Sequence, residues 1–108
     1  MIEAVYDRDK LCLTVTGHAG SDEKGKDLVC AAVSALVYTL AENVCRMCAD
    51  KTRVRRPVVE LSEGNAKIAC APVHGMQAVT ALVFDSVCAG FDVLAAQYPQ
   101  YIHYKVLG

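Results

Sequence analysis

The stretch from Leu28 to Ala41 constrains this chain most, because fourteen consecutive residues there carry no charge and Asp27 stands immediately before them. Leu28, Val29, Ala32, Val33, Leu36, Val37 and Leu40 recur at i, i+3 and i+4, the period of a helix. Asp27 suits its N-cap, since a carboxylate there accepts bonds from the free N–H groups of the first turn. The apolar arc is wide, so the spacing predicts a central helix reaching Cys48, with a sheet on one side and further cover on the other. A membrane span needs about 20 apolar residues. The run therefore reads as a core helix, and no membrane partner is expected.

The flanking segments carry a different period. Residues 2–7 (IEAVYD) and 11–17 (LCLTVTG) alternate or run apolar with β-branched residues around a polar turn, which predicts a hairpin. Residues 18–26 (HAGSDEKGK) follow neither period and carry two glycines, as a loop does. After the helix, a basic connection (KTRVRRP) leads to two strand-like runs, PVVELSE and NAKIACAPV, joined by the turn residues Glu63, Gly64 and Asn65. A second helix is expected from Met76 to Gln97, with Val79, Leu82, Val83, Val87, Phe91 and Leu94 as its stripe and Pro99 closing it. YIHYKVL reads as a last strand. The order β-β-α-β-β-α-β predicts an α+β, two-layer fold in which two helices cover a mostly antiparallel sheet. At 108 residues, with no linker or long repeat, residues 1–108 read as a single domain.

Composition narrows the function classes. A net charge of −1 and a pI near 6.3 give no global positive field to recruit nucleic acid or an anionic membrane. Six cysteines in a short chain raise the prospect of a disulfide scaffold, yet the opening MIEAVYDRDK alternates like a strand and has no apolar signal core. A reducing, cytoplasmic setting is expected. Cys12, Cys30, Cys45, Cys70 and Cys88 sit inside apolar stretches, where burial is the default for a thiol.

One thiol is placed for chemistry. Cys30 follows the proposed cap by three residues, where unpaired N–H groups and the helix macrodipole favour a thiolate. His18 begins the loop that leads from a strand end to that helix start. If the two ends are neighbours, the imidazole takes the thiol proton and later protonates a leaving amine, a Cys-His dyad. Asp27 either orients the histidine or caps the helix. Ser34, four residues after Cys30, either donates to the thiolate or bonds back to a backbone carbonyl. Small residues beside the thiol leave room for a peptide backbone, and N–H groups at the helix start suit an oxyanion.

GHAG at 17–20 followed by GKDLVCAAVSAL at 25–36 resembles the signature of the bacterial ribosomal-processing cysteine protease family, Prp. The ending GFDVLAAQYPQYIHYKVLG resembles that family's C-terminal segment. The resemblance implies His18 and Cys30 as catalytic pair, with Asp27 and Ser34 at the family's aspartate and serine. It implies a mobile substrate loop between them, containing Ala19, Gly20 and Gly25, and a homodimer; no cofactor or metal is expected. The partner it implies is the N-terminal extension of large-subunit ribosomal protein twenty-seven, cut after a hydrophobic stretch.

Other features suggest rival functions. Lys51, Arg53, Arg55 and Arg56 form a basic cluster, either solvated helix-end charge or an RNA contact of a non-catalytic ribosome-associated protein. Cys45 and Cys48 have the C-x-x-C spacing of zinc and redox sites, but lack a second paired spacing and fall at a helix end. His74 reads as a turn residue and His103 as part of the last strand.

Overall fold

The computed structural model describes residues 1–18 and 26–108, with the side chains of Lys26 and Asp27 outside that description. The expected substrate loop residues Ala19, Gly20 and Gly25 lie outside the described residues. The elements run β1 (Ile2–Asp7), β2 (Cys12–Gly17), α1 (Lys26–Cys48), β3 (Val54–Ser62), β4 (Asn65–Pro72), α2 (Gln77–Gln97) and β5 (Ile102–Leu107). This is the expected order, and both helices lie against the sheet in an α+β arrangement. The five strands stand in the order β3-β4-β2-β1-β5, antiparallel except where β1 pairs with β5.

That mixed sheet follows from the two crossovers. β2 and β3 both run antiparallel to β4, so the passage through α1 joins parallel strands and steps over β4. The passage through α2 likewise joins β4 to β5 and steps over β2 and β1. The two steps go in opposite lateral directions from strands of opposite sense, so right-handed crossovers place both helices on the same face. Along that face, Ala4 pairs with Val15 and Tyr104, and Leu13 pairs with Tyr6 and Ile68. The other face carries Glu3, Thr14, Lys67 and His103, the alternation of a sheet packed on one side.

α1 buries Val29, Val33, Val37, Leu40, Ala41, Val44 and Met47. α2 crosses close to it because Gly90 lacks a side chain: a Cβ there would stand 2.6 Å from Leu36 Cδ2. Tyr6 and Phe84 stack at 5.9 Å and Phe91 and Tyr104 at 6.0 Å, locking α2 to β1 and β5.

Several expectations need correction. Of the predicted α2 stripe, Phe91 is fully buried and Val83, Val87 and Leu94 pack against the core, but Val79 and Leu82 are exposed, and the buried face is completed by Thr80, Phe84 and Cys88. The helix is apolar almost all round, so its periodicity does not single out one face. The further cover expected over α1 comes in part from α2, which packs at Leu36, but among the described residues nothing covers Leu28 and Tyr38, each 61% exposed. By length and composition both helices are apolar enough to cross a membrane, contrary to the reading from the uncharged run alone, but each lays a buried stripe on the sheet. The basic connection is partly strand: Val54 is fully buried and β3 starts there, with a bulge between Arg55 and Val58 where Arg56 takes φ +51°. Arg55 and Arg56 are therefore edge-strand residues, not helix-end charge. α1 begins at Lys26, which puts Asp27 in the first turn rather than at the cap. Cys45 is exposed and Cys12, Cys30 and Cys48 are half-buried, leaving Cys70 and Cys88 as the buried thiols.

Candidate active site

The site is assembled where β2 ends. Gly17 closes that strand at φ +95°, a left-handed conformation that only glycine adopts freely, and a Cβ there would run into the Met1 carbonyl. The chain after it is pinned from two sides. Gly17 N–H donates to the Gly64 carbonyl at 3.0 Å, and the Met1 amino group donates to the His18 carbonyl at 2.5 Å. These bonds fix the backbone of His18 beside the β3–β4 turn, a neighbourhood set by the register that pairs Thr16 with Asn65.

Cys30 lies just beyond the first turn of α1, half-buried, with Ser34 one turn further and exposed. His18, Cys30 and Ser34 all line one cavity of about 420 Å³. The structure thus brings the expected nucleophile, base and serine to a common space; Asp27 is on the same helix, its side chain undescribed. The cavity's apolar floor comes from Val15, Val33 and Val37, and its far wall from the end of the β3–β4 hairpin, including Leu61, Glu63 and Gly64. That hairpin wall was not anticipated. Its only sequence signal is the turn at Glu63 and Gly64, which says nothing of where the turn lands until strand order is known.

Chemically, this is a half-buried thiol and an exposed imidazole facing a partly apolar recess, suited to an extended apolar segment. Among the described residues no three His, Cys, Asp or Glu side chains converge as metal ligands, and Cys45 and Cys48 stay free thiols at the end of α1. A second hollow between α2 and β5 holds Tyr6, Arg8 and Asp85, but their polar groups satisfy one another: the Tyr6 hydroxyl donates to Asp85 Oδ1 at 2.8 Å, and Arg8 donates to both carboxylate oxygens. Burial and the adjacent Asp85 carboxylate raise the Tyr6 hydroxyl well above the phenolic range. His103 makes a surface contact with Glu3 at 3.4 Å, and His74 is exposed in a turn.

Comparison with known proteins bears on the fold and the family. The chain superposes on SMU.848 from Streptococcus mutans with a TM-score of 0.72 at 26% identity, covering 99% of this chain and 94% of that one. It also superposes on the ribosomal processing protease Prp from S. aureus with a covalently linked product peptide, at TM-score 0.73 and 20% identity over 98% and 99% of the two chains. The same protease with a substrate peptide gives 0.75 and 18% over the same shares. No curated protein matches the chain. The family model for cysteine protease Prp matches residues 1–103. With nearly its whole length covered by that model, the chain belongs to the Prp family of cysteine proteases.

Proposed function

We propose that this protein is an endopeptidase for ribosomal protein processing, with Cys30 as nucleophile and His18 as base and then acid. The observation that carries the reading is that these two residues, placed by different elements, line one cavity in a chain of a cysteine-protease family. The thiolate attacks the scissile carbonyl and the peptide nitrogen departs with the imidazolium proton, leaving an acyl-enzyme. A water molecule, deprotonated by the imidazole, then hydrolyses the thioester and returns the thiol. N–H groups at the start of α1 suit the developing oxyanion.

The substrate is the N-terminal extension of large-subunit ribosomal protein twenty-seven, cut after its hydrophobic stretch. Val33, Val37 and Leu61 in the cavity wall support an apolar peptide over a charged one. The setting is cytoplasmic and the active form a homodimer. Support for the dimer comes from apolar side chains left uncovered on the helices, among them Leu28, Tyr38, Leu82 and Val93.

The test is mass spectrometry of a peptide bearing that extension, incubated with the wild type, Cys30→Ala and His18→Ala. Cleavage after the hydrophobic stretch by wild type alone is expected. An intact peptide with folded wild-type protein favours the RNA-binding reading, in which the exposed Lys51, Arg53, Arg55 and Arg56 give salt-dependent affinity that survives Cys30→Ala.

A further inference from the structure

Among the described residues, no carboxylate or amide hydrogen-bonds the imidazole of His18, and the Met1 amino group bonds only its backbone carbonyl. A histidine acting as base still has to be held in one orientation. One contact to this ring on the described side of the cavity is steric. Gly64, the second residue of the β3–β4 turn, takes φ +71° and lines the same cavity. A Cβ at Gly64 would stand 2.5 Å from His18 Nε2, 2.9 Å from Cε1 and 3.3 Å from Cδ2. Those three ring atoms are the nearest to that position, so the space a side chain would need there is the space the imidazole fills.

We infer that Gly64 is a positioning residue for His18: the bare Cα of the turn is the seat on which the Nε2 edge of the ring rests, and any side chain at 64 displaces the imidazole from the cavity wall. The catalytic consequence rests on the role proposed for His18, whereas the seating does not. The bond from Gly17 N–H to the Gly64 carbonyl keeps seat and ring together, because it ties the residue before His18 to the turn itself. A competing explanation is that glycine is present only for its left-handed φ. Asparagine separates the two, since it tolerates that conformation better than other residues with a side chain yet still carries a Cβ.

The experiment compares Gly64→Ala and Gly64→Asn with wild type, by long-range proton–nitrogen NMR of the His18 ring and by peptide cleavage. Both variants are expected to move the His18 ring signals and to lower kcat on the order of a hundredfold, as about 1 Å of misplacement does, with KM little changed. Unmoved ring signals and wild-type kcat in Gly64→Asn overturn the inference. If wild type fails to cut the peptide while the ring signals move in both variants, the seating stands and the protease reading falls. A thermal cycle covers the case of poor folding. Gly64→Ala is expected to lower Tm more in wild type than in His18→Ala, where the ring is gone; equal losses overturn the inference.

Discussion

The six free thiols are predicted to separate sharply in reactivity, and the structure supplies the magnitude. Burial pushes the Cys88 thiol from 9.0 up to about 12, with only a partial offset from Tyr104, and pushes Cys70 up to about 11. At pH 8 the thiolate fraction of Cys88 is then about a thousandfold lower in the folded chain than in the unfolded one, and that of Cys70 about a hundredfold lower. A more basic thiolate is intrinsically more nucleophilic, with a Brønsted slope of about 0.45, which returns roughly twentyfold to Cys88 and eightfold to Cys70. The net protection from ionisation is about fortyfold for Cys88 and about tenfold for Cys70. Both are minimum values, because the side chains are only 1% and 5% exposed and reagent access falls as well. The assay is reaction with a dipyridyl disulfide at pH 8, with and without urea, read by peptide mapping. Exposed Cys45 serves as an internal control. Cys88 reacting in the folded chain within a few-fold of its unfolded rate would refute the reasoning, as would Cys88 reacting faster than Cys70. The outcome bears on function, since a probe aimed at Cys30 then competes with Cys45, Cys48 and Cys12 rather than with the core thiols.

Three further outcomes are expected. Asp85→Ala leaves the buried Tyr6 hydroxyl without its acceptor and costs about 1–3 kcal/mol in urea denaturation, whereas Arg8→Ala costs less because that ion pair is half exposed. Phe91→Ala removes a fully buried ring stacked on Tyr104 and costs about 3–5 kcal/mol, seen as a lower midpoint at unchanged m. Stability should fall with rising alkalinity: the folded chain keeps the Cys70 and Cys88 protons, the unfolded chain releases them above 9.0, and so the contribution is whole below that value and lost through about 11 and 12. Melts recorded from pH 8 to 11 check this, and a Tm that does not fall refutes it.

Element order was legible because each element carries its own period. β1 and β2 alternate across a sheet with one wet face, and Asp7, Arg8 and Lys10 mark the turn between them. Faces were harder to read. α2 presents Val79, Leu82 and Val93 to solvent and Phe84, Cys88 and Phe91 to the sheet, so apolar residues ring the helix and only the partner surface decides which side is buried. The start of β3 is hidden in the sequence for a related reason. Arg55, Arg56 and Pro57 look like a linker, yet an edge strand accepts charge, a bulge and a proline because one side of its backbone needs no partner.

The site divides along the same physical line. Cys30 and His18 stood out as candidates because they are close in sequence: a strand end and a helix start flank the short segment between them, and helix-terminus chemistry marks the thiol. The wall opposite them depends on a pairing that no local pattern encodes. α1 steps over β4 before β3 forms, so the returning hairpin brings β4 alongside β2 in the register that sets Asn65 against Thr16. That register puts the turn beside His18 and gives Gly64 a steric role that its left-handed φ alone would conceal. Glycine in a hairpin turn is the least informative residue a sequence offers, because the turn already accounts for it. Its second constraint becomes visible only when a Cβ is placed there and meets an imidazole rather than open space, as it does at Gly64 and does not at Gly75.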